Sequence, residues 1–396
     1  MQYRIDKRSG NKLSVLGFGC MHFPKTLVPG NPGGIDMRKT EEMIMHSIER
    51  GVNYFDTAWF YQGSEQALGI IFEKNKIRNK VFIATKLPTV KLKSAADFDK
   101  FFDQQIVRLK TGFLDYYLMH MLTDMDQWNK LKSWGIEKWI DDKKKSGQVR
   151  QIGCSFHGTK DEFIKIVDDY DWEMCLMQYN YSNINYQAGV TGLKKAAEKM
   201  PVMIMEPLLG GRLAAGLPAG AVEIFKQANP DITPAGWALN WLWNQEEVTL
   251  LLSGMSSMDM VTENVKIAAT ANAGDFDDYD HELISKIRTE IMHNTKVVCT
   301  SCGYCLPCPK GVDIPFVFHS YNMLSSNKTG VMREYMQATI MRKEQMSISA
   351  CNDCGKCEMQ CPQGLEIRTE LKNAARELET FSFRFVKRVL KLLRIF

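Results

Sequence analysis

Four side chains that can move protons stand at or just after the ends of short apolar runs in the first third of the chain. They are Asp56, Tyr61, Lys86 and His120. A free tyrosine, with a pKa of about 10, is a weak proton donor near neutral pH. A buried ammonium close to the phenol oxygen favours the phenolate and lowers that pKa. A phenol placed beside such an ammonium could therefore give up its proton near neutral pH.

For these four side chains to act together, they must lie on strands whose carboxyl ends meet. Apolar runs predict strands at 14–20, 52–56, 81–85, 116–120, 151–154, 174–178, 202–205 and 249–252. Helical periodicity predicts helices at 36–50, 64–75, 94–111, 128–145, 159–169, 188–199, 233–244 and 258–269. Eight alternating units predict an α/β fold, a parallel (β/α)₈ TIM barrel with its site on the loops at the strand ends. The first strand has no Gly-x-Gly-x-x-Gly sequence after it, which disfavours an open dinucleotide-binding sheet.

The order and local contexts of the four residues resemble the catalytic tetrad of the aldo/keto reductase family. The matching segments are NYFDTA with Tyr61 and Glu65 following, VFIATK, and DYYLMH. The resemblance implies that Tyr61 is the general acid and that Lys86 tunes it. It also implies that Asp56 holds Lys86 charged and that His120 orients the carbonyl oxygen. Taken singly, each residue also has a purely structural interpretation. Asp56 could cap a helix, and Tyr61 could be a packing aromatic. Lys86 could be a solvated strand end, and His120 a hydrogen-bonded core histidine.

The same resemblance implies a nicotinamide cofactor, NAD(H) or NADP(H). Ser155 and Gln178 would contact the nicotinamide amide, and Met205 stands where the family normally stacks an aromatic ring. Phe156 replaces the family's usual Asn, so a barrel that holds no nicotinamide remains an alternative. The candidate cofactor contacts are Gly19, Met21, Ser155, Gln178, Met205, Leu208, Gly254, Glu263 and Asn264.

The phosphate end of the cofactor is less well matched. Pyrophosphate would lie against the backbone of residues 208–211, and Glu263 and Asn264 match the adenine end of the family pattern. The cations that clamp a 2′-phosphate in NADPH-preferring members are replaced by Gly254 and Met260. Loss of these charge-assisted contacts favours NADH over NADPH.

Eight of the eleven cysteines lie in two short groups, CTSCGYCLPCP and CNDCGKCEMQCP. Both resemble the bacterial ferredoxin run, in which the fourth cysteine ligates the other of two clusters. The resemblance implies two [4Fe–4S] clusters. The first would be held by Cys299, Cys302, Cys305 and Cys361, and the second by Cys351, Cys354, Cys357 and Cys308. Structural zinc is the alternative, and disulfides are disfavoured in a chain with no export signal.

Both halves together resemble oxidoreductases that join an aldo/keto reductase barrel to a C-terminal ferredoxin domain. The cysteine-containing part should be small and mainly helical, with helices at 314–324 and 331–341 around a turn at 326–330. The predicted domains are a barrel at 1–275, a connecting helix at 276–296, a dicluster domain at 297–380 and a basic amphipathic tail at 381–396.

The net charge and the hydropathy of the chain disfavour two classes of protein, nucleic-acid-binding proteins and membrane-spanning proteins. The net charge of +4 is too small to indicate nucleic-acid binding. No apolar run long enough to span a bilayer and no secretory segment is present, so a cytoplasmic location is expected. The tail could lie on an anionic membrane as a peripheral contact, or it could pack back on the protein.

The sequence predicts an oxidoreductase that acts on a small carbonyl or alcohol substrate. Clusters pass single electrons, whereas a nicotinamide carries a hydride, so a flavin or a separate one-electron carrier or flavoprotein must convert between them. The alternative is an electron-transfer or redox-sensing module whose barrel binds a nucleotide with little turnover.

Overall fold

The computed structural model describes residues 1–26, 30–324, 328–336, 338–339 and 347–392, with side chains of the last helix described to residue 388. The chain divides into two compact units. The first comprises Met1–Leu208 and Ala235–Asp277, and the second comprises Leu209–Pro234 and Asp278–Phe396. Residues 209–234 thus belong with the cysteine-containing unit, an association that no sequence pattern indicated.

Eight parallel strands close into a barrel in the first unit, which confirms the predicted (β/α)₈ fold. The strands run in the order β10-β3-β4-β5-β6-β7-β8-β9, and β9 pairs with β10 to close the barrel. The strands are β1 (Tyr3–Ile5), β2 (Lys12–Ser14), β3 (Leu16–Gly19), β4 (Tyr54–Asp56), β5 (Phe82–Leu87), β6 (Leu114–Leu122), β7 (Val149–Phe156), β8 (Met174–Gln178), β9 (Val202–Met205) and β10 (Val248–Ser253).

The first two strands form an antiparallel hairpin that sequence patterns did not reveal. Leu13, on β2, is fully buried in the same apolar cluster as Tyr54 and Tyr116 of the barrel. The single strand expected at 14–20 is therefore two strands. The chain bends between them at Val15, and the Ser14 hydroxyl donates to the carbonyl oxygen of Leu16 at 2.7 Å.

Helices follow the barrel strands and continue through the second unit. They are α1 (Met37–Glu49), α2 (Ser64–Lys74), α3 (Ala96–Leu109), α4 (Met125–Ser133), α5 (Ile136–Lys145), α6 (Lys160–Asp169), α7 (Gly189–Lys199), α8 (Arg212–Ala215), α9 (Ala219–Ala228), α10 (Pro234–Trp243), α11 (Met258–Ala268), α12 (Asp278–Asn294), α13 (Ile314–Met323), α14 (Lys328–Met336), α15 (Lys356–Met359), α16 (Ile367–Leu378) and α17 (Phe381–Leu392).

Two helix predictions were wrong. The helix expected at 128–145 is broken into α4 and α5, because Gly135 adopts a φ of +82° that ends one helix and begins the next. No helix was predicted between the strand at 202–205 and the helix at 233–244, but this segment contains α8 and α9. The apolar spacing in α9 buries Ala221 and Phe225.

The second unit is mainly helical, as expected. Its core contains Val317 and Phe318 of α13 and Leu371 of α16, with Tyr335 of α14. The helix predicted at 314–324 is α13. The one predicted at 331–341 begins earlier, at Lys328, and residues 337 and 340–346 lie outside the described part of the chain, as do 325–327 of the expected turn.

The C-terminal tail begins as helix α17. Phe383 is buried and packs on Tyr335, with ring centroids 5.5 Å apart. Phe381 and Phe385, in contrast, are 81% and 59% exposed. The amphipathic pattern beyond residue 388 falls outside the described side chains, and residues 393–396 are outside the described chain. In the described chain, no helix has the length and apolar character needed to cross a bilayer.

Candidate active site and cysteine groups

Asp56 and Lys86 form a buried ion pair at the carboxyl ends of the adjacent strands β4 and β5. The Lys86 Nζ donates to Asp56 Oδ1 at 2.5 Å and to the carbonyl oxygen of Thr57 at 2.8 Å. The two side chains are 1% and 4% exposed. Burial raises the pKa of Asp56, and the neighbouring ammonium opposes that rise. The ion pair therefore fixes the position of the Lys86 side chain at the mouth of the barrel.

Tyr61 and His120 lie against this ammonium. The Lys86 Nζ is 5.0 Å from the centre of the Tyr61 ring. The Tyr61 ring meets the His120 ring edge to face, with centroids 6.3 Å apart and an interplanar angle of 85°. His120 is almost fully buried, and burial together with Lys86 and His157 lowers the pKa of its imidazole well below its usual value. The structure thus brings the four predicted residues together, with Asp56, Tyr61 and His120 near the buried Lys86 side chain.

The two cysteine groups of the second unit repeat the same backbone conformation. Ser301 and Asp353, two residues after the first cysteine of each run, have φ of +57° and +58°. Each donates its backbone N–H to the sulfur of that first cysteine at 3.5 Å. The glycine after the second cysteine, Gly303 or Gly355, again has a positive φ. Both runs therefore fold into matching turns that hold thiols in the same relation.

The last cysteine of each run lies near cysteines of the other run. Burial first, and then the nearby thiols of Cys302, Cys299 and Cys361, raise the pKa of Cys305, so Cys361 of the second run lies near three cysteines of the first. A cavity is lined by Cys305 and Cys308 of the first run together with thiols of the second, namely Cys351, Cys354 and Cys357. All eleven cysteines are free of disulfides. Across the described residues, no three His, Cys, Asp or Glu side chains converge closely enough to hold a single metal ion.

Comparison with known proteins gives two family matches. Residues 15–289 match the model of the aldo/keto reductase family. The chain belongs to the aldo/keto reductase family. Residues 297–365 match the model of the 4Fe-4S dicluster domain. The second match covers both cysteine groups and the helices α13 and α14.

Two curated relatives align with this chain along most of their own length. The chain is 22% identical over 286 residues to an uncharacterized oxidoreductase, YqkF, of Bacillus subtilis, which covers 65% of this chain and 87% of that protein. It is 20% identical over 318 residues to L-glyceraldehyde 3-phosphate reductase of Escherichia coli, covering 67% and 87%. The holo form of an aldo-keto reductase from Bacillus halodurans superposes with a TM-score of 0.59 at 22% identity, covering 72% of this chain and 96% of that one. This structural likeness supports the barrel fold.

A buried carboxylate stabilises the strand end that carries Lys86. Glu65, in the first turn of α2, accepts hydrogen bonds from Thr85 Oγ1 at 2.7 Å and Gln105 Nε2 at 2.6 Å. It also pairs with Arg108 at 3.1 Å. Gln105 in turn donates to the carbonyl oxygen of Lys86 at 3.1 Å. Glu65 belongs to the matching sequence segment, but its role was not predictable because Gln105 and Arg108 lie 40 and 43 residues downstream with no local signal.

A second histidine stands beside the tetrad. His157 follows β7, and its backbone N–H donates to the carbonyl oxygen of Leu122 at 2.8 Å. Burial, helped by Lys86, lowers the pKa of His157 to about 4. Its Nδ1 is buried with no hydrogen-bond partner among the described residues. Phe156, which replaces the family's Asn, packs on Phe163 with centroids 4.9 Å apart and so adds apolar wall instead of a polar contact.

The two residues expected to hold a nicotinamide amide fit that group. Ser155 Oγ and Gln178 Oε1 are both buried, and neither has a hydrogen-bond partner in the described part of the chain. Buried polar atoms are normally paired, so such atoms point to a ligand or an ordered water. A hydroxyl can donate to the amide oxygen and a carbonyl oxygen can accept from the amide nitrogen. The pair therefore complements both ends of a carboxamide.

The other candidate cofactor positions lie at the ends of β3, β9 and β10 or in the helix after β10. Met205 stands opposite Gln178 in the β8–β9 register and is partly buried. Asn264 is buried, and its Nδ2 donates to Ser253 Oγ at 2.9 Å, which engages this amide within the protein. The remaining positions are Gly19, Met21, Leu208, Gly254 and Glu263.

Proposed function

We propose that this chain interconverts a small carbonyl compound and its alcohol with NAD(H) or NADP(H). The observation that carries the proposal is the Lys86 ammonium, bonded to Asp56 at 2.5 Å and 5.0 Å from the centre of the Tyr61 ring. Ser155 and Gln178 would hold the nicotinamide amide, with Met205 beside the ring. When bound, the cofactor supplies or accepts the hydride.

The protein's own residues handle the proton. In the reduction direction, Tyr61 donates its phenol proton to the carbonyl oxygen, and the nearby Lys86 ammonium stabilises the phenolate that remains. Asp56 keeps that ammonium in place. His120, neutral because burial lowers its pKa, donates a ring N–H to the carbonyl oxygen and polarises it without competing for the tyrosine proton. His157 adds a second neutral imidazole at the same mouth.

The coenzyme preference is proposed to be NADH. Gly254 and Met260 occupy the positions from which cations would clamp a 2′-phosphate, and Met260 is 46% exposed. A phosphate there would lack charge-assisted partners from these two positions, so NADPH should bind more weakly than NADH.

The second unit is proposed to hold two [4Fe–4S] clusters. The first would use Cys299, Cys302, Cys305 and Cys361, and the second Cys351, Cys354, Cys357 and Cys308. The matched turns and N–H···S contacts support this assignment, as does Thr300 Oγ1, which is buried beside Cys299 without a partner among the described residues. Bound clusters would store and pass single electrons.

Coupling of the clusters to the barrel needs a partner that handles both one and two electrons. We propose a one-electron carrier or a flavoprotein, or a flavin bound by this chain. A cytoplasmic location is proposed, and the exposed Phe381 and Phe385 beside the basic Arg384 and Arg388 support peripheral contact with an anionic membrane.

The tetrad is tested by Tyr61→Phe, with Tyr279→Phe as a matched control because Tyr279 is 59% exposed on α12. Steady-state reduction of a panel of small aldehydes with NADH should fall by at least about a hundredfold in the first variant, the usual size of a general-acid effect, and stay unchanged in the second. Equal rates in Tyr61→Phe and wild type would favour the electron-transfer or redox-sensing alternative.

The clusters are tested by iron and sulfide analysis of anaerobically purified protein. Eight irons per chain are expected, since each of two clusters holds four. Cys357→Ser should remove one cluster, whereas Cys175→Ser, a change at a buried cysteine of β8, should leave the count intact. Zinc in place of iron and sulfide would contradict the assignment.

A further inference from the structure

Arg212 contacts the segment that begins the first cysteine group. It is the first residue of α8, within residues 209–234 of the second unit. Its Nη1 lies 3.4 Å from the carbonyl oxygens of both Val297 and Cys299, and its Nη2 lies 3.2 Å from Thr295 Oγ1. All of these acceptors are uncharged. The guanidinium therefore stands next to a predicted cluster ligand with its positive charge uncompensated by any ion pair among the described residues.

The approach of this loop to the cysteine segment is close. Gly210, two residues before Arg212, has a φ of +65°, and a Cβ there would lie 2.0 Å from the carbonyl oxygen of Thr300. From the other side, Asn322 Oδ1 accepts from the backbone N–H of Val297 at 2.9 Å. The chain leading into Cys299 is thus held between α13 and the loop that carries Arg212. The cation cannot withdraw from Cys299 without moving this backbone.

The second cysteine group has a different electrostatic setting, although its turns match those of the first. The arginine beside it, Arg368, lines the cavity that contains Cys351, Cys354 and Cys357. Arg368 forms a salt bridge with Glu358 at 2.7 Å, so its charge is locally balanced. The second cysteine set also has Lys356 in the lining of its cavity, but Lys356 is exposed, so water screens its charge. The first set therefore lies next to a partly buried cation without an ion pair among the described residues, whereas the second lies next to a balanced pair and a solvent-screened lysine.

Reduction of a [4Fe–4S] cluster adds one electron and so makes its net charge more negative by one. A nearby fixed cation stabilises the reduced form more than the oxidised form, and it does so more strongly where water is partly excluded. We propose that Arg212 raises the reduction potential of the cluster held by Cys299, Cys302, Cys305 and Cys361 above that of the second cluster. The inference rests on the proposed clusters. It makes the Cys299 cluster the one that is reduced first and holds its electron longer.

The test is an anaerobic redox titration of the full chain, followed by low-temperature electron paramagnetic resonance of both reduced clusters. In Arg212→Gln, the ratio of reduced to oxidised cluster at the higher-potential site should fall about tenfold at a fixed applied potential. For a one-electron couple this corresponds to a reduction potential lowered by about 59 mV. The reduction potential of the second cluster should not change. Arg212→Lys, which keeps the charge, should retain most of the wild-type potential. Arg333→Gln, which removes an exposed guanidinium of α14, is the matched control and should change neither.

A second variant covers the case in which Arg212→Gln loses its cluster. Thr295→Asp keeps Arg212 but places a carboxylate beside its Nη2, so it should lower the same potential, while Thr295→Ser should not. Unchanged potentials in Thr295→Asp and in Arg212→Gln with full iron content overturn the proposal, as does an equal drop in Arg212→Lys. Absence of four-iron clusters from the wild type would instead contradict the cluster assignment itself.

Discussion

Replacing Lys86 by methionine should destabilise the barrel strongly, because it leaves an unpaired carboxylate buried in the interior. Asp56 and Lys86 are joined at 2.5 Å, with side chains 4% and 1% exposed, so solvent screens the pair very little. Breaking a buried pair by removing one partner typically costs about 3–5 kcal/mol. The other carboxylate oxygen, Asp56 Oδ2, is buried without a hydrogen-bond partner in the described residues, which leaves no alternative stabilisation on that side. We therefore expect the upper part of that range for Lys86→Met at pH 7.

The loss should depend on pH with a defined sign. Burial already raises the pKa of Asp56 in the folded protein, and removing Lys86 removes the group that opposes this rise. A carboxyl group whose folded pKa lies above its unfolded value of about 3.9 favours folding below that value. That contribution is lost as the pH rises towards the folded pKa. The stability gap between Lys86→Met and wild type should accordingly be small near pH 4 and widen towards pH 7.

Tryptophan fluorescence during urea unfolding can follow this change in the first unit alone, because all eight tryptophans lie between residues 59 and 243 and within that unit. The variants form a double-mutant cycle: Lys86→Met, Asp56→Asn and the two combined. The double variant should recover at least about 2 kcal/mol relative to the sum of the single losses, since it buries no unpaired charge. It should nevertheless have no carbonyl reductase activity.

Two outcomes would refute this reasoning. One is a Lys86→Met variant that loses less than about 1 kcal/mol at pH 7, the size expected of an exposed pair. The other is additive losses in the double variant, which would mean that Asp56 and Lys86 do not stabilise each other. Either result would leave the proposed tuning of Tyr61 without its electrostatic basis.

Three further predictions follow from buried or crowded positions. Glu65→Ala should cost about 3 kcal/mol by tryptophan fluorescence, because it unpairs several buried donors, whereas Glu73→Ala on the exposed part of the same helix should cost less than about 0.5 kcal/mol. Gly210→Ala should destabilise the second unit by about 1–3 kcal/mol more than Gly211→Ala when the visible absorbance of the clusters is followed in urea. Both glycines have positive φ, but only the first has a backbone oxygen where its Cβ would lie. Ser155→Ala should weaken NADH binding about tenfold in a fluorescence titration and leave barrel stability unchanged, because its hydroxyl bonds to no described residue.

The barrel and the four tetrad residues were predictable because their signals are local. Each buried parallel strand is an apolar run, and each proton-moving residue stands at or just after the end of one. The repeated cysteine spacing likewise indicated the dicluster domain. Asp56 and Lys86 are 30 residues apart, yet their contact followed from the parallel register of neighbouring strands.

What the sequence did not indicate depends on contacts between distant helices and loops. The bonds from Glu65 to Gln105 and Arg108 join α2 to α3, and nothing in either segment alone specifies the partner. The break at Gly135 was missed because the apolar pattern continues across it. Helices α8 and α9 were missed since their glycine-rich surroundings resemble a loop, and their burial comes from the second unit.

Neither compact unit is one uninterrupted piece of chain. The polypeptide leaves the barrel unit after residue 208, returns at residue 235 and leaves again after residue 277. A protein truncated after residue 277 would therefore still contain residues 209–234, which belong to the second unit. It would lack their packing partners, among them the carbonyl oxygens that Arg212 contacts. The two units are therefore interleaved along the chain. To express the barrel unit alone, residues 209–234 must be removed as well as the chain after residue 277.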